Sequence, residues 1–429
     1  MDTSPLALPL DPTGLRLRRD TLTARIQRVR SQTGALTTRL SPEDMQIAAG
    51  PDGSPAKWHL AHTTWVFEAL VAGRFLPGYR PFDPQFAMLF GGLFVEGGPV
   101  LAPDRRSLLS RPSVAEIMQY RDHVNATILR LVGQLSGEEF VAAERLVCFG
   151  IEHEQRHQEW MLTDLKRAFW ENPTLPTYRT VVPRLAEPQA ITGWIAVDGG
   201  STTLGAADGD TCLDDETPRH TVHVEPFRIA DRPVACGDYL DFMEDGGYED
   251  PRQWLSDGWQ VRRAEGWRAP QYWLKRGGRW HVFTLGGLRA LDRAEPVCHV
   301  SWYEADAFAR WSGARLPGEA EWEMVATRCQ PVGNLRDGDA LHPRAGPAAI
   351  DGPCQMFGDV WEWTRSAHLP YPRHRPGPGP LAARFMGNRM VARGGSCLTA
   401  PEQARATSRL PLPPATRWPM TGIRLAADG

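Results

Sequence analysis

The chain has 429 residues, 42% of them hydrophobic and 23% charged, with a formal net charge of -3. That length exceeds what one hydrophobic core supports, so two domains are expected, and the near balance of charge asks for neither nucleic acid nor an anionic membrane as partner. No apolar run approaches the ~20 residues that span a bilayer, and the opening MDTSPLALPLDPTG carries an acid and prolines where a secretory leader needs a basic and then an apolar region, so a cytoplasmic protein is expected. Cysteines 148, 212, 236, 298, 329, 354 and 397 are scattered without a CxxC, a pattern of reduced thiols rather than of a disulfide framework.

Residues 1–16 are expected to be disordered. Four segments then carry apolar residues at three- and four-residue spacing: TLTARIQRVRSQTGALTTRL, PAKWHLAHTTWVFEALVAGRFL, SVAEIMQYRDHVNATILRLVGQL and SGEEFVAAERLVCFGIEHEQRHQEWMLTDLKRAFW. Ser113 with Glu116, and Ser136 with Glu139, have the spacing of capping boxes at the starts of the third and fourth segments. A four-helix bundle over 17–170 buries four such faces, and bundles build metal sites from side chains on facing helices. Pro173, Pro176, Pro183 and Pro188 mark 171–192 as a linker. From 193 to 429 the chain turns rich in Gly, Pro and Trp, with alternating runs HTVHVEPFRIA and RWHVFTL read as strands and only SWYEADAFARWSGA and GEAEWEMVATRC read as helices. The fold class is therefore α+β, a helical bundle followed by a loop-rich mixed domain shaped by buried tryptophans.

The fourth helical segment contains GIEHEQRHQEW, in which His153 and His157 stand four apart around Glu154. Positions four apart share a helix face, so both imidazoles can reach one ion. The second segment offers His59 and His62 as a third ligand, and His62 is preferred because it continues into Trp65, Val66, Ala69 and Gly73, the face expected to be buried. HExxH is also the spelling of zinc proteases. A metzincin, however, needs a Gly and a third His where Trp160 and Thr163 stand, and a gluzincin needs a downstream carboxylate helix where the proline linker lies. Three imidazoles without a carboxylate suit iron(II), zinc or copper by ligand type. An octahedral iron would keep three positions open, enough for dioxygen and two substrate atoms.

The ordered set SPAKWHLAHTTWVFE, LLSRPSVAEIMQYRDHV, GIEHEQRHQEWMLTDLK, DDETPRHTV, DGGYEDPRQWLSDGW, PVCHVSWYEADAFARWSGARLPGEAEWE, FGDVWEWT, RGGSC and TGIRLA resembles the ergothioneine-type sulfoxide synthases. The resemblance runs from about residue 20 to the end. It implies a DinB-like four-helix bundle, a C-terminal domain like the formylglycine-generating enzyme with a C-type-lectin-like fold, and an iron(II) held by His62, His153 and His157. It further implies dioxygen as co-substrate and hercynine as the acceptor, joined at its imidazole C2 to a chalcogen donor. Glu159 becomes a candidate for orienting the histidines.

The departures bear on the donor. Where members commonly read FNSYY followed by RHPRPQR, this chain reads FGGLFVEGGPVLAPDRR, so Leu93 and Phe94 replace tyrosines and the stretch stays apolar until Arg105. Where members read RNFFPP or RNWD, this chain has SRLPLPP, with Leu410 in place of the Asn, and Arg156 replaces the usual Gln. A donor with a carboxylate and an ammonium needs charged partners once desolvated, so their removal points to a sugar-borne selenol, as in the selenoneine synthase branch, with cysteine or γ-glutamylcysteine as the alternative donor. Phe90, Phe94, Arg156, Ser408, Arg409 and Leu410 are the expected substrate-binding residues, and Tyr371 is a candidate for proton donor. A copper-dependent cysteine oxidation of the formylglycine-generating kind lacks the second cysteine after Cys397. A non-catalytic binding or scaffold protein is the remaining alternative.

Overall fold

A computed structural model describes residues 12–92, 100–180, 193–207, 209–210, 212–338, 340–346, 352–375 and 386–429. Backbone proximity divides the chain into two compact units that part between Leu165 and Lys166.

The first unit holds four long helices: α1 (Pro12–Thr37), α2 (Ala56–Phe67), α5 (Val114–Gln134) and α6 (Gly137–Glu171), the last continuing into the second unit. Short helices α3 (Gly73–Phe75) and α4 (Phe86–Phe90) and a 3₁₀ turn, Pro103–Leu108, lie between α2 and α5. α1 starts at Pro12, inside the segment expected to be disordered; Leu22, Ile26 and Val29 are its buried apolar stripe. The Ser113–Glu116 capping box forms at α5, with the Glu116 backbone N–H donating to Ser113 Oγ at 3.2 Å. At the second expected box, Gly137 enters α6 with φ +56°, and no bond between Ser136 and Glu139 is seen among the described residues. The segment expected to run as one helix from 55 to 76 is interrupted by a π turn, Glu68–Ala72. Glu68 is buried there, and its carboxylate accepts from Tyr79 Oη at 2.8 Å, Tyr120 Oη at 2.5 Å and the Phe82 backbone N–H at 2.8 Å.

The second unit is built from short sheets. β1 (Trp194–Val197), β4 (Phe227–Ala230) and β12 (Ala426–Asp428) form one antiparallel sheet with β4 at its centre, so the start and end of this unit close on the same strand. β2 (Gly200–Leu204) pairs with β3 (His220–Val224), and β5 (Trp273–Arg276), β6 (Arg279–Thr284) and β7 (Gly287–Ala290) form a meander. The remaining sheet has the order β10 (Leu410–Leu412), β9 (Met390–Arg393), β8 (Trp361–Ala367), β11 (Thr421–Gly422), with β11 parallel to β8. Trp361 and Trp363 are fully buried on β8, so FGDVWEWT is core, and Trp322 joins them through a bond from Nε1 to Glu362 at 2.6 Å. Helices α9 (Trp302–Trp311) and α10 (Glu319–Ala326) lie where the sequence places them; α7 (Cys236–Glu244) and α8 (Ser256–Ala264) are additional. The bundle is expected to run to residue 170; the end of α6 beyond Leu165 packs within the second unit. There Lys166 Nζ lies 2.7 Å from His299 Nε2, and the Trp170 ring meets Tyr272 and Phe283. Of the expected linker, residues 181–192 lie outside the described residues. No described helix is long and apolar enough to cross a membrane.

Candidate metal centre

Every residue of α2 is buried, which makes it the central helix of its unit and brings both of its histidines inside. On α6, His153, His157 and Asp164 fall on one stripe, since steps of four and seven residues return to the same face. His62, His153 and His157 form a group whose candidate ligand atoms all lie within 4.8 Å of one another, and it is the one group of this kind among the described residues. His62 Nδ1 donates to the Phe90 carbonyl at 2.5 Å, which leaves Nε2 as the lone-pair nitrogen, 3.3 Å from His153 Nε2. Burial, then the neighbouring His153, holds His62 well below the ordinary imidazole range; burial likewise takes His153 down to about 3 and His157 well below. Three neutral imidazoles that converge with lone pairs available meet the requirement of a divalent transition metal, so the residues fit such an ion.

The walls of the centre are aromatic. Trp58 stacks on His62 at 4.5 Å with 10° between the planes, Trp160 meets His157 edge-on at 5.0 Å, and Phe149 stacks on His153 at 6.2 Å. Gly92, at φ +54°, comes so close that an added Cβ would sit 3.4 Å from His62 Cε1. His59, the other candidate from α2, turns instead to His157: its Nδ1 lies 2.8 Å from His157 Nδ1 and its Nε2 lies 3.1 Å from Asp164 Oδ2.

Glu154 decides the question posed by HExxH. It points away from the imidazoles into a buried ion cluster, where it meets Arg30 at 2.8 Å and also binds Arg121 and Thr33. Burial pushes its carboxyl up, but the Arg121 and Arg30 guanidiniums and their hydrogen bonds outweigh that and bring it down to about 2. An acid locked between two arginines is a structural anion and cannot serve as the general base of a zinc protease.

The other expected residues divide. Phe90 is buried, its carbonyl accepts from His62 Nδ1 and its ring meets Phe86 edge-on at 5.2 Å. Phe94, with Leu93, lies outside the described residues. Arg156 is half-buried and its charge reaches His153. Ser408, Arg409 and Leu410, expected in a substrate-facing loop, are buried within the second unit. Ser408 Oγ donates to Gln403 O, Arg409 is bound by Glu319, Asp215 O and Leu369 O, and Leu410 pairs with Ala392 between β10 and β9. Tyr371 is equally committed: its hydroxyl donates to Glu319 at 3.4 Å, Arg409 and His220 cover its ring, and burial raises its pKa far above the ordinary value. Glu159 is buried rather than solvated. Arg106 is the residue that sequence reasoning missed. Its guanidinium lies 3.6 Å over the Trp58 ring and donates to Ser54 Oγ at 2.8 Å, and its positive charge reaches both His62 and His157. Its neighbour Arg105, where the apolar stretch ends, is exposed.

Fold and centre together define a helical bundle with an inward-facing three-histidine site, followed by a sheet-rich domain. Residues 25–161 match the DinB superfamily and residues 180–350 and 327–429 match the sulfatase-modifying factor enzyme 1-like domain. The chain is 33% identical to hercynine oxygenase of Mycobacterium tuberculosis over 87% of its own length and 91% of that protein. It is also 33% identical to hercynine oxygenase of Mycolicibacterium thermoresistibile over 87% of each. The formylglycine-generating enzyme of Thermomonospora curvata is 28% identical over 59% of this chain and 99% of that one. The chain belongs to the hercynine oxygenase family, the ergothioneine-type group that its motifs resemble.

Proposed function

We propose that this chain is a cytoplasmic non-haem iron enzyme that uses dioxygen to join a chalcogen donor to the imidazole C2 of hercynine, with His62, His153 and His157 holding iron(II). The observation that carries the reading is the convergence of three neutral imidazoles within 4.8 Å, with no carboxylate in the group. Hercynine as the acceptor rests on the likeness to two hercynine oxygenases over 87% of this chain. When bound, iron(II) would supply the redox chemistry with dioxygen that oxidative coupling needs. The chain's own residues do the rest. Trp58, Phe149 and Trp160 limit water around the imidazoles, the Phe90 carbonyl fixes the orientation of His62, and Arg156 provides positive charge for the carboxylate of hercynine.

The donor we favour is a sugar-borne selenol, because the tyrosines and arginines that resemblance associates with an amino-acid thiol are replaced at Leu93, Phe94 and the apolar stretch beyond them. Arg106, beside the centre, favours a second reading in which cysteine or γ-glutamylcysteine is the donor and a carboxylate pairs with that guanidinium. Mass spectrometry of the products formed from hercynine, oxygen and a panel of donors separates the two. The expected result is a carbon–selenium product formed faster from a glucose-borne selenol than any product from cysteine. Preference for cysteine overturns the donor assignment. His153→Ala, folded as judged by circular dichroism, is expected to lose iron-dependent turnover, and full activity in that variant would remove the ligand assignment.

A further inference from the structure

Three hydrogen bonds lead away from His157 in one line. The Ser54 backbone N–H donates to Asp164 Oδ2 at 3.0 Å, His59 Nε2 meets the same oxygen at 3.1 Å, and His59 Nδ1 meets His157 Nδ1 at 2.8 Å. All the side chains in this line are buried. We propose that His59 and Asp164 are positioning residues that fix the tautomer of His157, an inference that rests on the reading of His157 as a metal ligand.

The polarity of the line follows from what each group can donate. Asp164 Oδ2 accepts from Ser54, so the proton between it and His59 belongs to His59 Nε2. The relay takes His59 as a neutral imidazole with one N–H, and in that state its Nδ1 is an acceptor. The contact at 2.8 Å then requires the proton on His157 Nδ1. His157 Nε2 is left bare, and it is the nitrogen through which this ring can serve a metal. The opposite tautomer would present an N–H to the ion and could not bind it. His62 is set independently by the Phe90 carbonyl, so two of the three rings are fixed by different means, one by a backbone oxygen and one by a carboxylate acting through a second imidazole. Such outer groups orient ligands and raise their basicity, and removing them lowers metal affinity about 10–100-fold.

The first test needs no metal and no turnover. Long-range ¹H–¹⁵N correlation spectra of the metal-free wild-type protein should show His59 as the Nε2–H tautomer and His157 as the Nδ1–H tautomer. An Nε2–H His157 overturns the proposal, whereas failure of the protein to bind iron would overturn the functional reading and leave this result standing. The second test is anaerobic titration with Fe(II) alone. His59→Phe and Asp164→Ala should each weaken binding about 10–100-fold, with the double variant no worse than the weaker single one because both cut the same line. Asp164→Asn can place its amide oxygen where Oδ2 accepts both bonds, and should recover most of the affinity lost in Asp164→Ala. Equal loss in the Asn and Ala variants, or affinity within twofold of wild type in His59→Phe, overturns the relay.

Discussion

Replacing Glu154 separates the two meanings of HExxH by their energetic consequences. The carboxylate is buried and shared by Arg30 and Arg121, which are themselves buried. Those guanidiniums have other partners: Arg30 donates to Asn125 at 2.5 Å and Thr64 at 3.0 Å, and Arg121 donates to the Arg30 carbonyl at 3.0 Å. None of these partners is charged, so Glu154→Gln leaves two buried cations with a neutral partner. Removing one partner from a buried ion pair costs about 3–5 kcal/mol; Gln retains a hydrogen-bond acceptor, which puts it near the lower end, and Glu154→Ala near the upper. Chemical denaturation followed by helix content, with the transition of the bundle fitted separately, measures the difference. Iron titration of each folded variant shows whether the centre survives. Wild-type stability, within about 0.5 kcal/mol, combined with loss of activity would refute the structural role and return Glu154 to the chemistry.

Lys166→Met is expected to stabilise the second unit at neutral pH by up to about 3 kcal/mol, because burial depresses the lysine to about 8 among His299, Cys298, Cys397, Arg289 and the Tyr272 ring. The sign is that of a base with a lowered pKa: between about 8 and the ordinary lysine value only the unfolded chain keeps the proton, so wild-type stability rises with pH there and the variant loses that rise. Gly150→Ala would bring a Cβ to 2.8 Å from the Phe67 ring, and urea denaturation should show a loss of about 1–3 kcal/mol. Fe(II) at about 100 times its Kd should stabilise the wild-type bundle by about 2.7 kcal/mol, and His62→Ala should show no response in thermal denaturation.

The four helices are legible because a 3.6-residue period persists over many turns, as at Leu22, Ile26 and Val29. α7 and α8 are not, because both are short and begin among Gly and Asp, which read as turn residues. The pairing of His153 with His157 is likewise a matter of spacing. The choice between His59 and His62 is not, since α2 is buried on all sides and a one-face argument cannot tell its histidines apart. What distinguishes them is Asp164, seven residues beyond His157, and that partner becomes visible only when α2 and α6 lie side by side. The surroundings of Arg409 and Tyr371 are hidden for a related reason: both lie in loop-rich stretches, and the Glu319 that bonds to both is distant in the chain. The role of Glu154 as a buried anion is not legible either, because its partners Arg30 and Arg121 come from other helices.

Arg106 makes the donor a question of charge placement that one substitution can answer. An arginine that is largely desolvated, pushed down to about 10 by burial and stacked on Trp58, has its charge opposed at longer range by Asp164. A substrate carboxylate arriving there would gain a charge-assisted bond without displacing a salt bridge, whereas a neutral sugar would gain little. Arg106→Met keeps the stem that covers the indole and removes only the cation. With a sugar-borne selenol as donor, the variant should leave the donor KM within about twofold and keep the selenol ahead of cysteine, while any rise falls on the KM for hercynine. A donor KM that rises tenfold or more with hercynine unchanged would mean that Arg106 holds the carboxylate of an amino-acid thiol, and the apolar replacements at Leu93 and Phe94 would then no longer argue for a sugar.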